Sequence, residues 1–238
     1  PLGIFAATIS TLVFPTMSEH AASGNKLKFA RTLTRGLNLV AFIIIPSAVG
    51  LWVLSTPVVE MLFQRGAFDQ RATVMTAAAL AYFTLGMYGW GANMVIIRAY
   101  YAVNDTKTPV TAGIISIIVN IALSYLFLPF LGHRGLPLAN SISVSAQTAL
   151  LMILITKHLP DMEFSSIGKT FAKALAASLL MGAAVYLIGS EIAFPAYAET
   201  AVCVGVGVVL YIFAAYIFRI EEISIIGELA ARKSTGIR

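Results

Sequence analysis

The side chains in this sequence that could bind or react stand mostly alone in apolar surroundings. Arg98 ends a long uncharged run that also holds Asn93. A guanidinium in that place has two readings. It is a cation that snorkels to an interface along its aliphatic stem, or one that binds an anion at the mouth of a cavity. Further on, Asn120 and Ser124 in "VNIALSYL" are four residues apart, which puts both oxygens on one helix face. Asn140, Ser141, Ser143 and Ser145 follow in "GLPLANSISVSAQ". Oxygens from two neighbouring helices are what a small hard cation such as Na⁺ requires. The same residues equally serve as hydrogen-bonding glue between membrane helices.

Groups suited to covalent or acid–base chemistry do not cluster. His20, His133 and His158 fall in separate loops without metal-ligand spacing, and neither a GxSxG elbow nor a Gly-rich phosphate loop occurs. Asp69, Asp105, Asp161, Glu191 and Glu199 sit at the ends of apolar runs, where water solvates a carboxylate. Glu60 lies near one such end. The single cysteine, Cys203, excludes an internal disulfide and a Cys-based metal site. No catalytic residue is nominated, and neither an enzyme nor an organic cofactor is expected.

The elements that must position these residues are membrane helices. The chain is 58% hydrophobic and 11% charged, with mean hydropathy +0.85. A soluble domain carries about 25% charged residues, so this composition predicts an all-α polytopic membrane protein. A span needs about 20 apolar residues, and seven runs qualify: Pro1–Thr16, Leu37–Phe63, Ala72–Ile97, Pro109–Phe130, Leu136–Thr156, Thr170–Ile188 and Thr200–Phe218. Backbone amides in hydrocarbon must bond within their own segment, so each run is predicted to be a helix. Pro46 and Pro57 predict a kink in the second run, and Gly86, Gly89 and Gly91 predict a bend or a close helix contact in the third. The first run reads as the latter part of a helix, and the chain as the C-terminal part of something longer.

The cations divide unevenly between alternate loops. Residues 17–36, 98–108, 157–173 and the tail from 219 hold thirteen Lys and Arg, whereas residues 64–71, 131–135 and 189–199 hold three. The positive-inside bias then places the tail and the Lys107 turn in the cytoplasm. Scattered at span ends, the cations form no stripe for nucleic acid. Asn104-Asp105 predicts a turn, with Pro109 in the first helical position after it. Between Glu19 and Gly36, Leu27, Ala30, Leu33 and Leu37 recur at helical spacing among Lys26, Lys28, Arg31 and Arg35. That pattern predicts an amphipathic helix, lying either on the headgroup surface or against the protein's own ends.

Four stretches carry a family resemblance: "PLGIFAATISTLVFPTMSEHAASGN", "FQRGAFD", "RAYYAVNDTKTPV" and "GLPLANSIS". In order and spacing they resemble the C-terminal half of the MurJ/MviN lipid II flippases, within the MOP exporter superfamily. The resemblance implies a fourteen-helix protein of the bacterial inner membrane, of which these runs are the last seven. It implies movement of lipid II, or a similar polyprenyl-pyrophosphate-linked saccharide, between leaflets by alternating access. Under it, residues 1–157 belong to the second lobe, with a linker at about 19–36. Residues 158–218 form two additional helices that flank a groove for the lipid tail, and 219–238 a cytoplasmic tail. Arg98, Asn93 and Lys107 would line the approach to the pyrophosphate, while the first lobe and its arginines are missing. Coupling to Na⁺ or to the membrane potential is implied, with Asn120, Ser124 and Asn140 at or near Na⁺ ligand positions. Ser124 departs from the family pattern, where an Asp is expected, and removes an anionic ligand. An exporter of another lipid-linked oligosaccharide, or a drug/cation antiporter of the MATE type, is the alternative.

Overall fold

The computed structural model describes residues 2–159, 162–191 and 196–223. Asp161 and residues 224–238, the greater part of the expected tail, lie outside the described residues, and so do the side chains of Glu191 and Glu199. The described chain is helical, without a strand: α1 (Leu2–Ala22), α2 (Lys26–Val53), α3 (Ser55–Phe63), α4 (Gln70–Thr84), α5 (Met87–Ala102), α6 (Lys107–Leu131), α7 (Gly135–Ile155), α8 (Phe164–Glu191) and α9 (Ala196–Ile217). The seven apolar runs become seven rods, two of them broken: α2–α3 at Leu54, and α4–α5 at Leu85–Gly86. By length and composition, Lys26–Val53, Lys107–Ile155, Phe164–Gly189 and Thr200–Ile217 can each cross a membrane, and the pair α4–α5, bent by 45°, makes a fifth span. The 49-residue stretch Lys107–Ile155 contains both α6 and α7, folded back through a short 3₁₀ turn at Gly132–Arg134. The fold is that of an all-α polytopic membrane protein.

Apolar side chains on the outside of the bundle match that solvent. On α6, Ile114, Ile117, Ile118 and Ile121 are exposed. In water such a face is a liability, and in lipid it is the rule.

α2 is the hub, because two of its faces are buried. Leu33, Leu37, Val40 and Ile44 join a core with α1, α5 and α7. Ala41, Phe42 and Ile45 join a second core with α8 and α9. The apolar middle of α2 is therefore covered from two sides. Residues 19–36 accordingly do not make a separate linker: α1 runs on to Ala22, a turn covers Ser23–Gly24, and α2 begins at Lys26 and continues unbroken. Phe29, Ala30, Leu33 and Leu37 are buried against the protein while Leu27 is exposed. The apolar stripe has found protein to cover it.

The prolines of the second run act differently from each other. Pro57 sits in the first turn of α3, where its missing N–H costs nothing. Pro46 is interior to α2, so the Phe42 carbonyl one turn earlier has no backbone donor. Tyr211 of α9 supplies one, its hydroxyl donating to Phe42 O at 2.8 Å. The two rings pack at 5.4 Å between centroids. This single bond ties the last helix to the hub at the point where the hub's own ladder fails.

Both readings of the third run's glycines hold. The rod bends next to Gly86, and a Cβ there would lie 2.6 Å from the Cα of Ser141 on α7. Ser141 Oγ reaches Tyr82 O at 2.8 Å, using a carbonyl near the break. At Gly91 a Cβ would lie 2.6 Å from Ile44 Cδ1 and 2.9 Å from Val40 Cγ1, so α5 also packs closely on α2, there against side chains rather than backbone.

Candidate functional site

Two polar regions are built from these elements. The first is a seam between α5, α6 and α7. Asn93 is buried on α5, 7% exposed, and its Oδ1 lies 3.1 Å from Thr148 Oγ1 on α7. That hydroxyl also stands 3.1 Å from Gly89 O and 2.9 Å from Val144 O, so its one proton serves three nearby acceptors in turn. Farther along α7, Ser143 is almost wholly buried. Its backbone carbonyl accepts from Ser116 Oγ at 3.1 Å, its Oγ accepts from Asn120 Nδ2 at 3.4 Å, and its hydroxyl donates to Asn140 O at 3.0 Å. Asn140 Oδ1 in turn accepts from the Trp90 indole at 3.3 Å. The seam thus brings Asn120 and Asn140 together through Ser143. Ser124, one turn beyond Asn120, is half-buried and its hydroxyl has no partner among the described residues. Nothing in the sequence singles out Trp90 or Thr148, since each becomes polar glue only when α5 is laid against α7.

The second region is the end of the bundle that carries the cation-rich loops. Asn104 adopts a left-handed conformation, φ 59°, which Asn tolerates better than most residues. Asp105 N–H then returns to Tyr100 O at 2.9 Å and closes the end of α5. The Asp105 carboxylate accepts from Lys107 N at 3.1 Å, Thr108 N at 3.0 Å and Thr108 Oγ1 at 2.7 Å, satisfying the orphan amides of α6. The Thr108 amide, then its hydroxyl, hold the Asp105 carboxyl below the ordinary carboxylate range, with His158 adding to the effect. The expected turn is therefore present, but α6 begins at Lys107 and Pro109 occupies the third helical position rather than the first.

His158 follows α7 and reaches Asp105 Oδ2 through Nε2 at 3.3 Å. Its ring stands edge-on to Tyr100 at 6.0 Å, and the Tyr100 hydroxyl donates to Leu151 O at 2.8 Å. His20 and His158, remote in sequence, line one cleft of about 410 Å³, while His133 lies in the 3₁₀ turn between α6 and α7. Among the described residues no group of three or more His, Cys, Asp or Glu could hold a metal.

Arg98 and Lys107 are not brought together with Asn93. Lys107 is exposed at the start of α6. Arg98 is half-buried, its guanidinium carbon 5.8 Å from the centre of the Phe14 ring on α1, a cation–π distance. Among the described residues it has no carboxylate partner. The "FQRGAFD" stretch forms the α3–α4 connection: Gly66 takes φ 60°, Asp69 caps α4 by accepting from Ala72 N at 2.8 Å, and Thr73 Oγ1 donates to Gln64 Oε1 at 2.9 Å. Its role is to turn the chain.

Residues 1–216 match the family model described as Lipid II flippase MurJ. The chain belongs to the MurJ family. It is similar to a protein of Vibrio cholerae named "Probable lipid II flippase MurJ", 36% identical over 63% of this chain and 29% of that protein. It is also similar to the lipid II flippase MurJ of Thermosipho africanus, 33% identical over 79% of this chain and 37% of the relative. A solved structure titled "Lipid II flippase MurJ, inward closed conformation" superposes with a TM-score of 0.76 at 29% identity, covering 92% of this chain and 44% of that one. The chain thus spans less than half the length of these MurJ proteins. Its seam, bend and cation-rich end are features of the part of a MurJ protein that it represents.

Proposed function

We propose that this chain is the second half of a lipid II flippase, carrying the lipid-linked peptidoglycan precursor from the inner to the outer leaflet of the bacterial inner membrane. The observation that carries the reading is the match to the family model over residues 1–216, supported by the shared backbone fold. Transport needs no covalent step. What it needs is a set of rods that move against another lobe around a cation able to meet a pyrophosphate. Arg98 suits that role because it is half-buried, remains charged and lacks a carboxylate to neutralise it. Lys107, exposed at the start of α6, adds attraction at the entrance. By charge the tail faces the cytoplasm.

A Na⁺ site in the seam would be a weak one. Asn120 Oδ1, Ser124 Oγ and Asn140 Oδ1, which also accepts from Trp90, are the side-chain oxygens on offer, all of them neutral. A hard cation collects several oxygens, carboxylates among them. Asn120→Leu is therefore expected to leave the Na⁺ dependence of transport unchanged.

The test is made with the full-length polypeptide in cells depleted of their own flippase, by measuring lipid II exposed on the outer leaflet. Restored exposure and growth are expected. A protein that reaches the membrane yet restores neither removes the reading.

A further inference from the structure

The cleft of about 410 Å³ at the cation-rich end has the makings of a site of its own. It is lined by polar groups from four separate segments: Ser18 and His20 at the end of α1, Lys26 at the start of α2, Asn104 after α5, and Lys157 and His158 after α7. Among the described residues no carboxylate lines it. Asp105, beside it, is occupied by the Thr108 amide and hydroxyl and by His158. Lys26 and Lys157 are exposed, and neither has an ion-pair partner among the described residues. The helix ends that border the cleft act in both directions, since α1, α5 and α7 bring the negative ends of their dipoles and α2 a positive one. The last carbonyls of α1 are taken by the amides of Gly24 and Asn25, those of α5 by Asn104 and Asp105, and those of α7 by His158 and Leu159. The α2 terminus meanwhile contributes the positive end of a 28-residue helix.

We infer that this cleft binds a phosphate group, borne either by a membrane lipid or by a small soluble molecule. Two free ammonium groups, two imidazoles, and the amide and hydroxyl donors of Asn104 and Ser18 form a donor-rich, cation-rich cup. Its volume suits a head group. Its level favours the lipid source: Lys26 and Lys157 stand where apolar spans begin and end, the depth at which bilayer phosphates lie. The inference does not rest on the transport reading, since binding is measured with no flipping required.

The full-length polypeptide is purified in detergent, and retention of phosphatidylglycerol against phosphatidylcholine is read by native mass spectrometry. Inorganic pyrophosphate is titrated in parallel by calorimetry. Lys26→Gln combined with Lys157→Gln is expected to weaken binding by about ten-fold or more. Lys28→Gln combined with Lys169→Gln removes equal charge from exposed positions outside the cleft and is expected to change it less than about two-fold. Phosphatidylglycerol retention that depends on the cleft pair assigns a lipid phosphate, and pyrophosphate binding that depends on it assigns a soluble one. If neither probe responds to the cleft pair, or if the control pair weakens binding equally, the cleft is ordinary surface charge and the inference is overturned.

Discussion

Removing one hydroxyl tests how the last helix is held. In Tyr211→Phe the ring that packs against Phe42 is kept, and only the donor to Phe42 O is lost. That carbonyl has no other helical donor, because residue 46 is proline, and both partners are buried, Tyr211 at 6% exposure and Phe42 at 3%. An unpaired buried acceptor costs about 1–3 kcal/mol in water-soluble proteins, whereas interhelical hydrogen bonds in membranes average about 0.6 kcal/mol and reach about 1.7. The expected loss is therefore about 1 kcal/mol, or roughly 2–4 °C in Tm for a chain of this size. The decisive measurement is a double-mutant cycle with Pro46→Ala, which gives residue 46 an N–H aimed at the same carbonyl. In that background Tyr211→Phe should cost almost nothing, so the coupling energy equals about 1 kcal/mol. Four proteins, wild type, two single variants and the double, are unfolded thermally in one detergent. Equal losses in both backgrounds would refute the reasoning, because Tyr211 would then stabilise by something other than filling the gap Pro46 leaves.

Gly86→Ala should destabilise by about 1–3 kcal/mol through overpacking, since its methyl meets a backbone atom of Ser141 that no rotamer change can move. Gly113→Ala on α6, with only Gln147 Nε2 at 3.8 Å, should be neutral or stabilising by up to about 1 kcal/mol; thermal melts showing the same sign for both would contradict the close approach of α5 and α7. Asp105→Asn probes the α6 cap. Because the folded carboxyl titrates below its unfolded value, its contribution is complete above the ordinary carboxylate pKa and lost as pH falls through the folded one, below about pH 4. Melting curves of the wild type and the variant should therefore differ at pH 5–8 and converge in acid, and a constant gap down to pH 2 would sink the assignment. Arg98→Glu in the full-length polypeptide should abolish transport, while Arg98→Lys retains part of it; unimpaired lipid II exposure with Glu would leave Arg98 as an interfacial anchor only.

Local chemistry was enough to read the rods and their turns. Each apolar run is helical because hydrocarbon offers no partner to a backbone amide, a constraint that acts within the segment. The Asn104-Asp105 turn is legible for a similar reason, as the bonds that close it reach from Tyr100 to Thr108, and only the contact with His158 comes from afar. The break at Leu54 and the uninterrupted start of α2 were less legible. Whether an apolar stripe with flanking cations seeks lipid or protein depends on which surface is offered to it, and α1, α5 and α8 offer theirs only after folding.

The remaining features depend on residues distant in the chain. The donor for the Phe42 carbonyl freed by Pro46 comes from Tyr211, 169 positions after Phe42, and nothing near Pro46 encodes it. The neighbour that requires glycine at 86 is Ser141. His20 and His158 read as unrelated loop residues until α1 and α7 end side by side and enclose a cleft between them. A run of residues states which solvent it prefers, because that preference is a sum over its own atoms. A buried bond or a shared cavity is a relation between two surfaces, and it comes into being only when packing sets them against each other.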